Sequence, residues 1–126
     1  MSTPKISDAE WQVMKVIWSN KYCTAREIVD EISKTTNWRP NTIRTLINRL
    51  LKKKIINYKI DEKDNKTYHY FALVSESECI KVESESFIKR VFNGSLNSML
   101  ENFINESKLS EEEIDKLKQI LDKKKG

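Results

Sequence analysis

Glycine is nearly missing from this chain. Of its 126 residues only Gly94 and Gly126 are glycine, so no Gly-rich loop exists to cradle a nucleotide phosphate. Histidine is scarcer still. His69 alone cannot complete a Ser-His-Asp triad or a histidine metal site, and between two tyrosines it reads as structural or surface. Cys23 and Cys79 stand far apart with no second Cys or His at metal-ligand spacing. They read as reduced thiols rather than a disulfide framework or zinc site, so neither metal nor cofactor is implied. Nothing approaches the ~18 consecutive apolar residues of a membrane span. The N-terminus carries no apolar run of a secretory signal, so the expected location is the cytoplasm. Carboxylate pairs such as Glu111 with Glu113 have a sufficient reason in helix-start electrostatics. An enzyme is not expected.

What the chain does have is charge, unevenly placed. It is 38% apolar and 33% charged with net charge +4 and mean hydropathy −0.64. Residues 1–75 hold 14 Lys and Arg against 8 Asp and Glu, whereas residues 76–126 hold 9 against 11. Within the first part, residues 39–66 alone carry 9 basic and 3 acidic side chains. This asymmetry points to one half facing a polyanion and another with different work.

Three helix starts repeat one pattern. Ser7 with Glu10, Thr24 with Glu27 and Ser110 with Glu113 each match a capping box, and each follows an apolar residue able to staple onto the first turn. A first helix is predicted over about Asp8–Ser19, burying Trp11, Met14, Ile17 and Trp18. A second covers about Ala25–Thr35 with Ile28 and Ile32 inward. Pro40 suits the first turn of a third helix, because its missing amide would be an orphan there.

That third helix, running to about Lys53, has two faces. Ile43, Leu46, Ile47, Leu50 and Leu51 recur at the spacing of one buried stripe. At about 100° per residue, Asn41, Thr45, Asn48 and Lys52 project opposite, flanked by Thr42, Arg44 and Arg49. Short hydrogen-bonding groups fringed by arginine suit a helix entering a DNA major groove, with guanidiniums on phosphate or guanine. An ordinary solvated surface helix has the same pattern.

The period then changes. Ile56, Tyr58 and Ile60 alternate with polar neighbours, as do Tyr68, Tyr70 and Ala72 with Thr67, His69 and Phe71, and the polar turn Asp61–Lys66 lies between. Three helices and then a hairpin with a charged tip is the order of a winged helix-turn-helix. Beyond Val74 the pattern is helical again. Phe87, Ile88, Val91 and Phe92 end one amphipathic helix, Asn93-Gly94 breaks it, and Leu96, Met99, Leu100, Phe103 and Ile104 stripe the next. Ile114, Leu117 and Leu121 mark a last helix. About fifty residues in three short helices cannot bury all these faces among themselves. A second copy of the chain would cover them; the rival is a cap folded onto the same chain's winged helix. The expected architecture is therefore mainly α with a small β-hairpin: a winged helix-turn-helix DNA-binding domain, residues 1–75, followed by a three-helix dimerisation domain, residues 76–126.

The runs ISDAEWQVMKVIW (Ile6–Trp18), Trp38-Arg39-Pro40 with TIRTLINRL, and FNGSLNSMLENFI (Phe92–Ile104) resemble the BlaI/MecI penicillinase and methicillin-resistance repressors. The resemblance extends from about Ile6 to Lys123. It implies a homodimeric winged-helix repressor of β-lactam resistance genes that binds inverted-repeat operators with TACA and TGTA half-sites. Carried over by position, Asn41, Thr42, Arg44, Thr45 and Arg49 face the groove and wing Lys66 lies near phosphate. Thr45 offers a hydroxyl and a methyl, the latter suited to thymine; Arg44 and Arg49 fall mainly to the backbone. The resemblance also implies induction by a membrane sensor-protease that cuts the dimerisation region at an Asn-Phe bond, which Asn102-Phe103 matches, although Phe103 already belongs to the apolar stripe.

Two positions depart from the family pattern. Lys54 stands where the family usually has a Gly that ends the recognition helix, so either Lys54 takes a strained conformation or the turn differs. Asn41 stands where Lys or a similar residue is common, and Asn can read adenine. Copper-responsive relatives carry Cys-x-Cys near the C-terminus; no cysteine follows Cys79 here. A repressor of another regulon, or a winged helix used for protein–protein contact, are the other readings.

Overall fold

Local hydrogen bonding fixes where the helices begin. In the computed structural model, which describes residues 5–126, Ser7, Thr24 and Ser110 all form complete capping boxes with Glu10, Glu27 and Glu113. They open α1 (Asp8–Ser19), α2 (Ala25–Ser33) and α6 (Glu111–Lys125). Each box satisfies two amides that the helix itself cannot, and losing such a cap costs on the order of 1 kcal/mol. Pro40 is the first residue of α3 (Pro40–Lys52), entered from extended Arg39 without a side-chain cap. The remaining elements are β1 (Ile56–Ile60), β2 (Tyr68–Ala72), α4 (Glu76–Phe92) and α5 (Leu96–Glu106). The predicted winged helix-turn-helix followed by three helices is the observed order. The first four residues of the expected 1–75 domain lie outside the described residues.

Two compact units divide the chain, one ending at Glu83 and the other spanning Ser84–Gly126. The first unit takes in the start of α4 because Cys79 there is buried with the core. That core collects Val13, Met14 and Ile17 of α1, Ile28 and Ile32 of α2, and Ile43, Leu46, Ile47 and Leu50 of α3, closed by Ile55, Ile56 and Tyr70. Trp11 and Trp18, expected inside, are only half-buried, and Val13 takes the inner place. The Trp18 indole N–H donates to the Val74 carbonyl at 3.0 Å. A large side chain with one polar edge settles at the core's rim, where that edge finds a partner. α2 also stops short of the expected Thr35. The Thr35 and Thr36 hydroxyls both turn back onto the Ile32 carbonyl and compete with continued helix.

The hairpin is antiparallel, with Ile56 opposite Ala72, Tyr58 opposite Tyr70 and Ile60 opposite Tyr68. Its inward alternation fades toward the tip: Ile56 and Tyr70 are buried, whereas Ile60 and Tyr68 are exposed. Tyr58 and Tyr68 stack there with centroids 4.0 Å apart. The loop before α2 joins the sheet at a single residue. The Cys23 N–H donates to the Tyr70 carbonyl at 3.0 Å and the Tyr70 N–H to the Cys23 carbonyl at 2.7 Å. The wing is thereby tied to the start of α2, a link the sequence did not reveal.

In the second unit no residue of α5 or α6 is buried. Phe87, Phe92 and Phe103 form an aromatic cluster, Phe103 stacking on Phe87 and meeting Phe92 edge-on. No described helix is long and apolar enough to cross a membrane.

Candidate nucleic-acid interface

The exposed stripe of α3 exists because the opposite stripe is pinned. Ile43, Leu46, Ile47 and Leu50 are at most 4% exposed, while Asn41, Thr42, Arg44, Thr45, Asn48, Arg49 and Lys52 all face solvent. The helix has no acidic residue in its first turn and carries Arg49 and Lys52 in its last. Every α3 residue named from the sequence thus shares one surface. Thr45 is already partly engaged: its hydroxyl donates to the Asn41 carbonyl at 2.9 Å. What it presents outward is its methyl and the oxygen lone pairs.

The end of α3 settles the question raised by Lys54. Lys54 adopts φ 61, the left-handed region. Its N–H donates to the Leu51 carbonyl at 3.1 Å, and the Ile55 N–H to the Leu50 carbonyl at 3.1 Å. These are the two bonds of a Schellman motif, sealed by contact between buried Leu50 and Ile55. The turn is the one a glycine would make; the lysine accepts backbone strain to make it.

A charged tie holds the same helix end. Lys53 Nζ donates to Glu10 Oε1 at 2.6 Å and to the Lys5 carbonyl at 3.2 Å. Glu10 is only 1% exposed. Burial alone would raise its pKa, but hydrogen bonds from Lys53 and from the backbone and hydroxyl of Ser7 prevail and hold the carboxyl below its ordinary value. One carboxylate therefore caps α1 and anchors the C-terminal end of α3.

The wing tip is shaped by Asp64. Its carboxylate accepts the backbone N–H of Lys66 at 2.8 Å and of Thr67 at 2.9 Å, and also the Thr67 hydroxyl. Those bonds, the Thr67 hydroxyl first among them, push its pKa down to about 2. Asn65 takes the left-handed conformation that Asn tolerates best after Gly. The result is a rigid turn with the Lys66 side chain exposed. His69 joins Asp61 at 3.2 Å, and so has a structural place at the base of the turn.

One feature escaped the sequence reading. An open groove of about 540 Å³ runs between the start of α2 and the wing, lined by Thr24, Ala25, Arg26, Arg44, Lys66 and three residues of the β2 side. The sequence marks Arg44 and Lys66 but not Arg26, which lies on a different helix with no periodicity connecting it to α3. The thiols stand apart from this surface chemistry. Both are buried, and burial raises the Cys23 pKa to about 11 and that of Cys79 above its usual range.

The residues named for dimerisation all belong to α4–α6. Val91, Leu96, Leu100, Phe103, Ile104, Leu117 and Leu121 are exposed, from 38% at Leu100 to 64% at Leu121. Phe87 and Met99 are half-buried. Asn102 and Phe103 are both exposed within helical α5.

Known proteins resemble the chain over nearly its whole length. The methicillin resistance regulatory protein MecI of Staphylococcus aureus (strain N315) is 47% identical over 122 residues, covering 97% of each chain. The penicillinase repressor of Bacillus licheniformis is 45% identical over 123 residues, covering 98% of this chain and 94% of its own. Among solved structures, the Bacillus licheniformis BlaI monomer bound to the blaP half-operator matches with TM-score 0.53 and 39% identity, over 62% of this chain and 93% of that one. Wild-type MarR of E. coli matches with TM-score 0.56 at 16% identity over 94% of this chain and 77% of its own, which speaks to fold alone. The family model described as penicillinase repressor matches residues 6–123, and the chain belongs to that family.

Proposed function

We propose that this protein is a homodimeric DNA-binding repressor of β-lactam resistance genes that acts in the cytoplasm on inverted-repeat operators. The observation that carries the reading is the unbroken polar and basic face of α3, set by the burial of Ile43, Leu46, Ile47 and Leu50 on the opposite side. On such a helix Asn41, Thr42 and Thr45 reach base edges, while Arg44, Arg49 and Lys66 neutralise phosphates. Relatives over nearly the full length are a methicillin resistance regulatory protein and a penicillinase repressor. The Bacillus licheniformis BlaI monomer, similar in fold, was solved in complex with the blaP half-operator.

Dimerisation follows from the second unit. Its helices leave an extended set of apolar side chains in water, and a second copy with the same faces covers them symmetrically. The assignment of residues 1–75 to DNA and 76–126 to pairing rests on this. Relief of repression fits the same surface. A cut between Asn102 and Phe103 by a membrane sensor-protease would sever α5 in the middle of the apolar face, and each winged helix would then hold its half-site alone.

Replacing Arg49 with Ala tests the phosphate assignment. Binding should weaken to a similar degree on operator and random duplexes, and the log–log salt slope should fall by about 1. An unchanged slope removes Arg49 from the backbone contacts.

A further inference from the structure

The groove between α2 and the wing brings three cations together from three separate elements: Arg26 in the first turn of α2, Arg44 on α3, and Lys66 in the turn before β2. Among the described residues none of the three is in an ion pair. Asp30 lies one helical turn beyond Arg26, where it could pair along the helix, yet no such pair forms. The nearest acid in sequence, Glu27, is occupied, its carboxylate accepting the Thr24 N–H at 2.8 Å. Three unpaired cations facing one concavity repel one another, an arrangement that an anion relieves.

Tyr70 gives the groove a floor. The residue is only 8% exposed and lines the groove, and no described hydrogen bond engages its hydroxyl. Burial raises its pKa while the nearby Arg44 charge works against that rise. The phenol therefore remains protonated at neutral pH, a neutral donor beside two guanidiniums. The amides of Ala25 and Arg26, at the start of α2, have no partner within the helix and add partial positive charge at the same mouth.

Resting on the proposed DNA-binding function, we propose that this groove seats one backbone phosphate of bound DNA. Arg26 and Arg44 grip it, the Tyr70 hydroxyl donates to it from below, and Lys66 closes the wing side. The guanidinium fork suits the planar spread of phosphate oxygens. Because the groove walls belong to α2, α3 and the wing together, a single phosphate fixes the angle at which α3 enters the major groove. Arg26 is thus a positioning residue for sequence reading although it touches no base.

The test measures binding of the full chain to its operator duplex and to a random duplex over a range of salt, for wild type and Arg26→Ala. Methylphosphonates are then placed one at a time along the operator. Arg26 is exposed, and an unchanged melting temperature confirms that the variant folds. The slope should drop by about 1, with roughly fivefold weaker binding at about 0.15 M salt on both duplexes. One methylphosphonate position per half-site should weaken the wild type several-fold and R26A distinctly less, because only the Arg26 share of the contact is already lost. An unchanged slope, or methylphosphonate losses identical in both proteins at every position, overturns the seat. If the wild type still prefers its operator, that failure leaves the repressor reading intact. A wild type without operator preference overturns both.

Discussion

Thr45 illustrates how much a single side chain's first partner decides. Its hydroxyl proton is used within α3, on the Asn41 carbonyl, so its outward chemistry is chiefly a methyl group. In the proposed complex that methyl would meet a thymine methyl, apolar burial worth about 0.8 kcal/mol. Replacing that thymine with uracil in one half-site should therefore cost the wild type roughly fourfold in affinity, while Thr45→Ser should bind the two duplexes equally. Equal sensitivity in both proteins would assign the discrimination elsewhere. The facing of Thr45, Asn41 and Arg49 was legible from the sequence, because helical periodicity alone sets which side they take. The engagement of the hydroxyl was not, since an i−4 back-bond competes with every other option that threonine has. Arg26 was illegible for a different reason. Its relation to Arg44 and Lys66 is made by the tertiary pairing of Cys23 with Tyr70, and a single-residue bridge leaves no pattern along the chain.

At the level of elements, boundaries set by local chemistry could be read directly. The three capping boxes needed only residues three apart. The helix–wing turn is the instructive opposite. Lys54 could equally have implied a different turn, and the outcome was decided by Leu50 and Ile55, whose burial closes the Schellman motif around a left-handed lysine. A non-glycine residue there costs of order 1 kcal/mol. Lys54→Gly should accordingly stabilise the protein by about 1 kcal/mol, offset in part by greater freedom of the unfolded chain, and raise the melting temperature without changing the wing. A lower melting temperature would show that the Lys54 side chain contributes something that outweighs the strain. The Glu10–Lys53 tie belongs to the same design, for it fixes the end of α3 to the start of α1, and with it the direction of the reading face. The capping-box spacing from Ser7 placed Glu10 in a cap but gave no sign that the same carboxylate would hold a lysine forty-three positions away.

For the whole molecule, the order of the fold was visible in the charge and hydropathy map: the basic excess fell between residues 39 and 66, and the apolar helical stripes without enough chain to cover them fell after Val74. The winged helix and the three further helices follow that map. In the proposed dimer, symmetric pairing would convert two modest half-site contacts into one tight complex, because the second half-site is met at high effective concentration. A charge in the middle of the apolar face should undo it. Leu100→Glu should sediment as a monomer and lose on the order of 10²–10⁴ in affinity for an inverted repeat, with its affinity for an isolated half-site unchanged. An intact dimer would remove Leu100 from the interface. Whether the face from Asn41 to Lys52 reads base edges in a two-fold-related pair of sites is decided by competition. The wild-type protein is titrated at moderate salt against an inverted-repeat duplex taken from upstream of its own gene, with random-sequence duplex as competitor. Retention of the inverted repeat at two chains per duplex against a large excess of competitor is expected; displacement by random duplex in proportion to its concentration would rule out sequence reading by this face.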